Sequence, residues 1–523
     1  MLKKQRRLII ISLPVIAGLV LVYFLVLAPM LIPPAVEIEL PELLDGEVLG
    51  INNRILLTNH VTRSEIAYVR VQNHVDEYVV FQDPYSGRFF VETAEFAHVD
   101  PEVLAQFMVN VGYLLSMFRV AARDVEDGNE IMEDMEQFGF AEDNANFTVT
   151  KLDGTWYRII IGDRIPTEGG YYVMFEDENG LREAIYILDT MMSNTVLANR
   201  YALLTPLVTR PMGMTDIIFL DNFRFYRDNQ LFLHIYNAEI PEYSDALVNR
   251  YMAYPAPYDV SDNFNALLTT LLSGLRGERV VYAFGIDYLM LGEYDEYDDI
   301  FLEVFERFGL MPPASRIMFE TQDGEQYDLL FSAPNEDGNY YVFDMHFQTI
   351  VEVTPEALSV EHIHAPLTEW ELRRFIDRAI FMRNINDVAD IEVRSPGQHV
   401  RFELEGLNQD LIVRGGNVGE ELQVIYTPYF RQWYIGTLMI ELWEEEPDPR
   451  VEGSAPIAEL EITMRNGRVY HFAFYFVPTN TRRSFFTLNG SGEFYVMHDR
   501  VRKLINDTDL VLAGYRPDAA ALE

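Results

Sequence analysis

The sequence predicts an α+β fold class, in which an N-terminal transmembrane helix is followed by repeated, mostly antiparallel strand–helix–hairpin units. Three observations predict it. The chain begins with a long uncharged apolar run, and Asp-Gly or Asn-Gly pairs recur between alternating apolar stretches. Two of these pairs lie at the same distance, fifteen residues, after the glycine of a Phe-Gly step. The chain has 523 residues, which is long enough for several hydrophobic cores.

The composition excludes several classes of protein. The chain has 40 Lys and Arg residues against 82 Asp and Glu residues, which gives a formal net charge of −42. Nucleic-acid binding needs a cationic surface that displaces counterions from phosphate, so this balance argues against it. A hydrophobic content of 49% argues against disorder. The absence of cysteine excludes disulfides, thiolate metal sites, cysteine nucleophiles and a lipid-modified cysteine anchor.

The N-terminal segment has the pattern of a membrane-spanning helix. The apolar run from Leu8 to about Ile32 carries no charge and exceeds the roughly 20 residues that a helix needs to cross a bilayer. Four basic residues precede it and acidic residues follow it. The positive-inside rule therefore predicts a single-pass protein of the cell membrane, with a cytoplasmic N-terminus and the bulk of the chain outside the cytoplasm. Residues 1–34 form the cytoplasmic tip and signal anchor, and residues 8–32 contact the membrane.

A cleaved signal peptide is the alternative for this segment. Such peptides have an apolar core of roughly 7–15 residues and a small-x-small cleavage site. The run in this chain is longer, and Val26-Leu-Ala-Pro-Met lacks the Ala-x-Ala pattern, so we favour an uncleaved signal anchor. Four prolines between residues 29 and 41 predict a stiff stalk. Residues 35–63 therefore form a Pro-rich stalk and the first short strands.

An internal repeat organises the rest of the chain. Residues 136–154 and 306–324 share the Phe-Gly step and the following Asp-Gly pair, and each then leads into a Tyr-Tyr-Val strand. A looser third copy has Asn466-Gly467 but lacks the Phe-Gly helix end. We therefore predict three repeat units, the third divergent, over residues 64–210, 211–380 and 381–523.

The Asp-Gly and Asn-Gly pairs predict a β-hairpin in each unit. A type I′ turn needs positive φ at both central residues, which these pairs supply. The paired segments are residues 147–152 with 155–161, 317–322 with 325–331, and 458–465 with 468–476. An amphipathic helix precedes each hairpin, and in the first unit it begins at Pro101, a residue favoured in a first helical turn. The Phe-Gly step predicts a helix end with a left-handed glycine.

Several segments carry a resemblance to a known family. They are the anchor followed by residues 46–54, the strand at 64–71, the Phe138-Gly-Phe140 step, the Asp153-Gly154 hairpin, residues 161–173 and the strand at 185–188. On these residues the chain resembles a bacterial domain of unknown function, family forty-three-forty, best over residues 45–210. The resemblance implies a membrane-anchored extracytoplasmic protein, often encoded beside ABC-transporter components of the gliding-motility type. It implies no reaction, cofactor or site residue.

The best metal-like cluster in the sequence is Glu361, His362 and His364. On a strand, residues two apart point to one face and could share a zinc ion. Spacing supplies no third histidine ligand, and Ala365-Pro366 follows, so a loop is the alternative interpretation. The acidic run at 293–299 precedes a helix predicted at about 299–309. It lacks the central glycine of a calcium loop, and a solvated helix start explains it as well.

No catalytic motif is present. The chain has no phosphate-loop pattern, no Gly-x-Ser-x-Gly elbow and no His-Glu-x-x-His. We therefore expect a non-enzymatic extracytoplasmic binding or scaffold protein, without a cofactor, that serves an ABC transporter or a cell-envelope assembly. Two alternatives stay open. One is an envelope glycan hydrolase that uses an Asp/Glu pair, for which a cleft with two carboxylates about 5–10 Å apart is diagnostic. The other is a cation-dependent adhesion module.

Overall fold

A computed structural model describes residues 41–123, 134–141, 143–238, 249–286, 288–292, 295–360, 363–445, 448–450 and 453–517. The chain divides into two compact units. Among the described residues, the first combines those of 41–74 and 106–197, and the second combines those of 75–105 and 198–517.

Thirty short strands and seven α-helices form the described part of the chain. The strands up to residue 189 are β1 Val48–Leu49, β2 Ile55–Leu56, β3 Ile66–Gln72, β4 Glu77–Gln82, β5 Phe89–Val91, β6 Arg119–Ala122, β7 Asn146–Lys151, β8 Trp156–Arg164, β9 Gly170–Asp177, β10 Gly180–Leu181 and β11 Ala184–Asp189. The next are β12 Asp221–Arg227, β13 Gln230–Ala238, β14 Asn249–Tyr254, β15 Arg279–Ala283, β16 Ser315–Glu320, β17 Gln326–Phe331, β18 Tyr340–Asp344, β19 Thr349–Val353, β20 Ser359–Val360 and β21 Ile363–Pro366. The last are β22 Val388–Ser395, β23 Gln398–Glu405, β24 Ile412–Asn417, β25 Gln423–Ile425, β26 Leu442–Glu445, β27 Ala458–Met464, β28 Val469–Phe476, β29 Arg483–Leu488 and β30 Ser491–Met497. The helices are α1 Pro101–Gly112, α2 Met214–Ile218, α3 Asp262–Leu272, α4 Asp295–Arg307, α5 Leu372–Phe375, α6 Thr427–Leu438 and α7 His498–Leu512.

The same order of six strands occurs in three sheets. It is β3-β7-β8-β9-β11-β6 in the first unit, and β12-β16-β17-β18-β19-β15 and β22-β27-β28-β29-β30-β26 in the second. In each, four consecutive strands form a meander, and the strand that precedes the meander in the chain returns to its far edge. The second and third sheets extend past their first strand by β13-β14 and by β23-β24-β25.

Alternating side chains build the cores on these sheets. In β27, for example, Ala458, Leu460, Ile462 and Met464 are buried and alternate with half-exposed polar residues, as expected for a sheet with one apolar face. Helix α6 covers the apolar face of the third sheet. Its Trp433 ring lies 5.0 Å from that of Phe402.

The second sheet carries helices on both faces, which positions the site described below. Phe264 of α3 packs edge-to-face on Phe223 of β12, with ring centroids 4.9 Å apart. Helix α4 packs through Phe301 and Phe305 on Phe284 and on Phe343 of β18, within one buried aromatic cluster. The terminal strand β15 pairs with β19 at the edge of the sheet, and its Tyr282 packs against the aromatic cluster that contains α4.

The predicted α+β fold class is wrong. In the described ranges strands hold more residues than helices, so the architecture is mostly antiparallel β and is not a series of strand–helix–hairpin units. The physical reason is that the segments between helix and hairpin pair as the edge strands β6, β15 and β26. In addition, the first Phe-Gly step ends only a 3₁₀ turn, Met135–Phe138. The predicted unit boundaries at 64–210, 211–380 and 381–523 stay predictions.

The prediction of a transmembrane signal anchor is likewise corrected. In the described ranges no helix is long and apolar enough to cross a membrane. The longest of these helices, α7, has 15 residues, against the roughly 20 that a bilayer requires. The predicted cytoplasmic tip and anchor at 1–34, including the apolar run at 8–32, lie outside the described residues.

The three predicted hairpins are present, but their turns differ from the prediction. Strands β7–β8, β16–β17 and β27–β28 pair antiparallel. In each turn only the glycine has positive φ, at +88° for Gly154, +82° for Gly324 and +86° for Gly467. A type I′ turn needs two such residues, so that turn type is wrong. The Gly154 N–H donates to the Lys151 carbonyl at 3.0 Å, which fits a three-residue loop with a left-handed glycine.

Candidate functional site

The residues predicted as a metal site lie mostly outside the described ranges. Glu361 and His362 are not described, and only the backbone of His364 is, within β21. No group of three or more His, Asp or Glu side chains in the described ranges is placed to hold a metal ion. A metal at these residues stays a prediction.

The acidic run at 293–299 forms the start of a helix. Residues 293 and 294 are not described, and α4 begins at Asp295, four residues earlier than predicted. The Asp298 side chain accepts a hydrogen bond from the Gly292 N–H at 2.5 Å. Acidic side chains near a helix N-terminus are stabilised by the free N–H groups and the helix dipole, so this part of the run stabilises the first turn of α4.

A cleft of about 720 Å³ lies beside the terminal strand of the second sheet. Its volume is in the range of small-molecule sites. Every lining residue belongs to the second unit. The lining consists of Val75, Asp76, Thr93, Glu95, Asn199, Arg200, Tyr201, residues 281–286, Ile300 and Arg307.

A bidentate ion pair braces one wall of the cleft. Arg200 donates from Nε and Nη2 to the Asp76 carboxylate at 2.8 and 2.7 Å, and from Nη1 to the Thr93 hydroxyl at 2.6 Å. Burial acts to raise the pKa of Asp76, but the hydrogen bonds from Arg200 outweigh it and the net shift is downward. Because its donors are committed within the wall, Arg200 positions this wall and is not free to bind a ligand.

Close backbone contact fixes the same wall against the loop after β15. Thr93 has φ of +63°, which is uncommon for a β-branched residue. A Cβ on Gly285 would lie 2.9 Å from the Thr93 Cα atom, so only glycine permits this approach. A strained residue held by several contacts is a feature of preorganised sites.

Two tyrosines supply the aromatic part of the cleft. The ring centroids of Tyr201 and Tyr282 lie 5.9 Å apart, and Tyr282 contacts the Phe284 ring at 4.9 Å. Burial raises the pKa of both tyrosines, so both hydroxyls are neutral near pH 7. Together the two rings form an apolar surface with polar tips.

The free edge of the sheet is partly covered next to the cleft. Just before β15, the Gly277 N–H donates to the Pro206 carbonyl at 2.8 Å, and Leu207 pairs with Arg276. A long extended peptide could not add to the sheet along this whole edge. The cleft therefore suits a compact ligand.

A separate polar group surrounds the β18–β19 turn. Asp344 is 1% exposed, and its Oδ2 accepts the N–H groups of His346 and Phe347 at 3.1 and 3.2 Å. Burial raises the pKa of Asp344 to about 8. Its Oδ1 is buried without a hydrogen-bond partner in the described ranges. Asp344 does not line the cleft, so its contacts assign it to the turn.

Ionisable side chains near this turn form an ordered chain of contacts. Arg210 donates to Glu325 at 2.6 Å and to the Tyr327 hydroxyl at 3.2 Å, and the Tyr327 ring lies 4.1 Å from the His346 ring. Burial lowers the pKa of His346, which favours its neutral form. These groups satisfy one another, and they lie outside the cleft.

Comparison with known protein families, with curated proteins and with solved structures found no match. The resemblance to the family of unknown function stays a prediction.

The sequence reasoning did not single out Asp76, Arg200, Tyr201 or Tyr282 as site residues. Arg307 belongs to the repeated Phe-Gly step, where the pattern predicts only a helix end. In the second sheet, the first tyrosine of the predicted Tyr-Tyr-Val strand has a structural role. Tyr340 is buried and its hydroxyl contacts Glu369 at 3.1 Å. No sequence motif joins the cleft residues.

Proposed function

We propose that this protein is a non-enzymatic binding module and that the cleft beside β15 is its ligand site. The observation that carries the proposal is the construction of the cleft. It combines a braced polar wall, two tyrosine rings and an arginine without an ion-pair partner in the described ranges. Among the described residues that line it there is no Ser, Cys, Lys or His, the residue types that most often act as nucleophile or base in covalent catalysis.

The cleft supports binding better than glycan hydrolysis. A glycosidase needs one carboxyl group with a raised pKa as general acid and a second as nucleophile or base. Among the described residues that line the cleft, Asp76 and Glu95 carry carboxyl groups. The pKa of Asp76 is lowered and its carboxylate is committed to Arg200, so it is a poor proton donor. Glu95 alone does not supply a catalytic pair.

Affinity selection with mass spectrometry tests the binding function. The protein is incubated with the small-molecule fraction of its source cells, and the retained compounds are released and identified. We expect at least one compound to be retained and to return with its mass unchanged. Tyr282→Leu should lose retention, because it removes a polar aromatic wall of the cleft. Tyr426→Leu, at a 60% exposed tyrosine between β25 and α6, is the control and should retain the compound.

Two results would contradict this proposal. The first is that the Tyr282→Leu variant still retains the compounds, while its melting temperature shows that it is folded. The second is conversion of a retained compound into a product, which would favour the hydrolase.

We further propose that the binding module serves an ABC transporter or a cell-envelope assembly outside the cytoplasm. The family resemblance supports this partner, and the acidic balance of the chain argues against nucleic acid. Crosslinking in intact cells should recover transporter or envelope subunits with this protein. Protease added to intact cells, after removal of the wall, should digest residues 41–517. A protected chain, or crosslinks only to cytoplasmic proteins, would overturn this assignment.

A further inference from the structure

We propose that the ligand of the cleft is a short zwitterionic peptide with an apolar side chain, an inference that rests on the proposed binding function. Its carboxylate would pair with Arg307, its ammonium group with Glu95, and its side chain would lie against Tyr201 and Tyr282.

Arg307 is the cation available to a ligand. It lies at the C-terminal end of α4, its side chain is exposed, and its guanidinium carbon lies 5.1 Å from the centre of the Phe308 ring. It forms no ion pair within the described ranges, although acidic residues outnumber basic ones two to one in this chain. A guanidinium presents a planar fork that matches a carboxylate. Arg307 is therefore placed to bind an anionic group.

Glu95 is the anion available to a ligand. One carboxylate oxygen, Oε1, accepts the Thr93 N–H at 3.0 Å, which fixes the side chain beside the braced wall. The side chain is exposed and forms no ion pair with any described residue. The second oxygen, Oε2, is left for an ammonium group or another donor.

The charge balance of the cleft favours a ligand with both signs of charge. Asp76 and Arg200 neutralise each other at 2.7 Å, which leaves Arg307 and Glu95 as the other charged groups among the described residues of the lining. A simple anion would be attracted by Arg307 but repelled by Glu95. A simple cation would be attracted by Glu95 but repelled by Arg307. A zwitterion pairs both groups and leaves neither charge opposed.

The dimensions of the cleft favour a short peptide. A volume of about 720 Å³ accommodates a ligand of a few residues. Its aromatic wall suits an apolar side chain. Because residues 206 and 207 cover the sheet edge before β15, a long strand has no room to continue.

Isothermal titration calorimetry with three related probes tests this inference. The probes are glycyl-phenylalanine, its N-acetyl form, which lacks the ammonium group, and its amide, which lacks the carboxylate. We expect the free dipeptide to bind and each blocked form to bind about tenfold or more weakly, since each loses one charge-assisted contact. The Arg307→Gln variant should bind the free dipeptide about tenfold or more weakly than the wild type does. It should bind the amide as well as the free dipeptide, because the partner of the carboxylate is gone. The Glu95→Gln variant should bind the N-acetyl form as well as the free dipeptide, because the partner of the ammonium group is gone.

The controls are Arg502→Gln, at an exposed arginine of α7, and Glu336→Gln, at an exposed loop residue. Both should bind as the wild type does. Equal binding of the free and blocked dipeptides, or none by the wild type, would overturn the inference. If affinity selection still retained other compounds in a Tyr282-dependent manner, the binding function would stand and the peptide assignment alone would fall. Absence of both dipeptide binding and Tyr282-dependent retention would overturn the proposed binding function as well.

Discussion

At the scale of single residues, buried carboxyl groups are the most informative feature. Asp344 and Asp259 are both almost fully buried, and burial raises the pKa of each. They differ in their partners. Asp344 accepts two backbone N–H groups and has an unpaired oxygen, whereas Asp259 forms an ion pair with Arg383. Removal of the charge should therefore have opposite effects at the two positions.

Asp344→Asn should stabilise the protein as the pH rises. The pKa of this carboxyl group is about 8 in the folded state, against an ordinary value of 3.8. The neutral carboxyl group therefore makes its full contribution to the free energy of unfolding below about pH 4, and this contribution is lost as the pH rises through 8. Asparagine keeps the acceptor and never ionises. Its advantage over the wild type should grow between pH 4 and pH 8 to at most about 5 kcal/mol.

Denaturant unfolding at several pH values measures this effect. Asp299→Asn, at an exposed residue of α4, is the matched control and should show the pH profile of the wild type. Parallel profiles for Asp344→Asn and the wild type would contradict the role of the buried charge.

Arg383→Met should destabilise the protein strongly. Arg383 pairs with Asp259, whose carboxylate also accepts the Met382 N–H. The guanidinium carbon of Arg383 also lies 4.8 Å from the centre of the Tyr251 ring. Loss of one partner leaves a buried unpaired charge, which costs about 3–5 kcal/mol. Adding Asp259→Asn removes that charge and keeps an acceptor for the N–H, so the double variant should recover part of the loss.

Urea unfolding of the two single variants and the double variant checks this prediction. Losses that simply add would show that the two groups do not interact.

At the scale of elements, the hairpin turns depend on one glycine each. Gly324 has φ of +82°, and the nearest atom to the position of a Cβ is the Glu320 Oε1 atom at 3.9 Å, which is ordinary van der Waals contact. Gly324→Ala should therefore cost about 1–2 kcal/mol through backbone strain alone. Gly436 lies within helix α6, and no atom lies within 4 Å of the position that a Cβ would take there. Gly436→Ala should stabilise by about 0.5–1 kcal/mol.

Thermal and urea unfolding of both glycine variants measure these changes. An equal sign of change at the two positions would contradict the distinction between a left-handed and a helical glycine.

Strand pairing could be predicted from the sequence where partners are close in the chain. Asp153-Gly154 and its two counterparts predicted the correct hairpins, because alternation and a turn residue act locally. The edge strands β6, β15 and β26 could not be predicted in this way, since each pairs with a strand later in the chain. Strand β15 pairs with β19, seventy residues on. These non-local strands changed the fold class.

The candidate site also could not be predicted from local sequence patterns. Asp76, Arg200, Tyr282 and Arg307 come from four distant segments, and only the folded second unit brings them to one cleft. Each residue alone resembles many others in the sequence. The signal that marks Arg307, a cation without an ion pair in the described ranges, is visible only when ion pairs can be assigned.

At the scale of the whole molecule, the charge of −42 opposes compactness. Like charges repel across the surface, and salt screens this repulsion. The melting temperature should rise between about 10 mM and about 1 M NaCl, as the Debye length falls from about 30 Å to about 3 Å. Differential scanning calorimetry measures it. A fall in the melting temperature would show that surface ion pairs, which salt weakens, outweigh the repulsion.

The central claim is that the cleft beside β15 binds the ligand, and deuterium exchange tests it most directly. The exchange of backbone amides is compared with and without the small-molecule fraction of the source cells. With ligand present, we expect slower amide exchange in residues 199–201 and 281–286, which line the cleft. Exchange around the exposed residues of α6 should not change. Unchanged exchange at both cleft segments, with protection elsewhere in the chain, would contradict it.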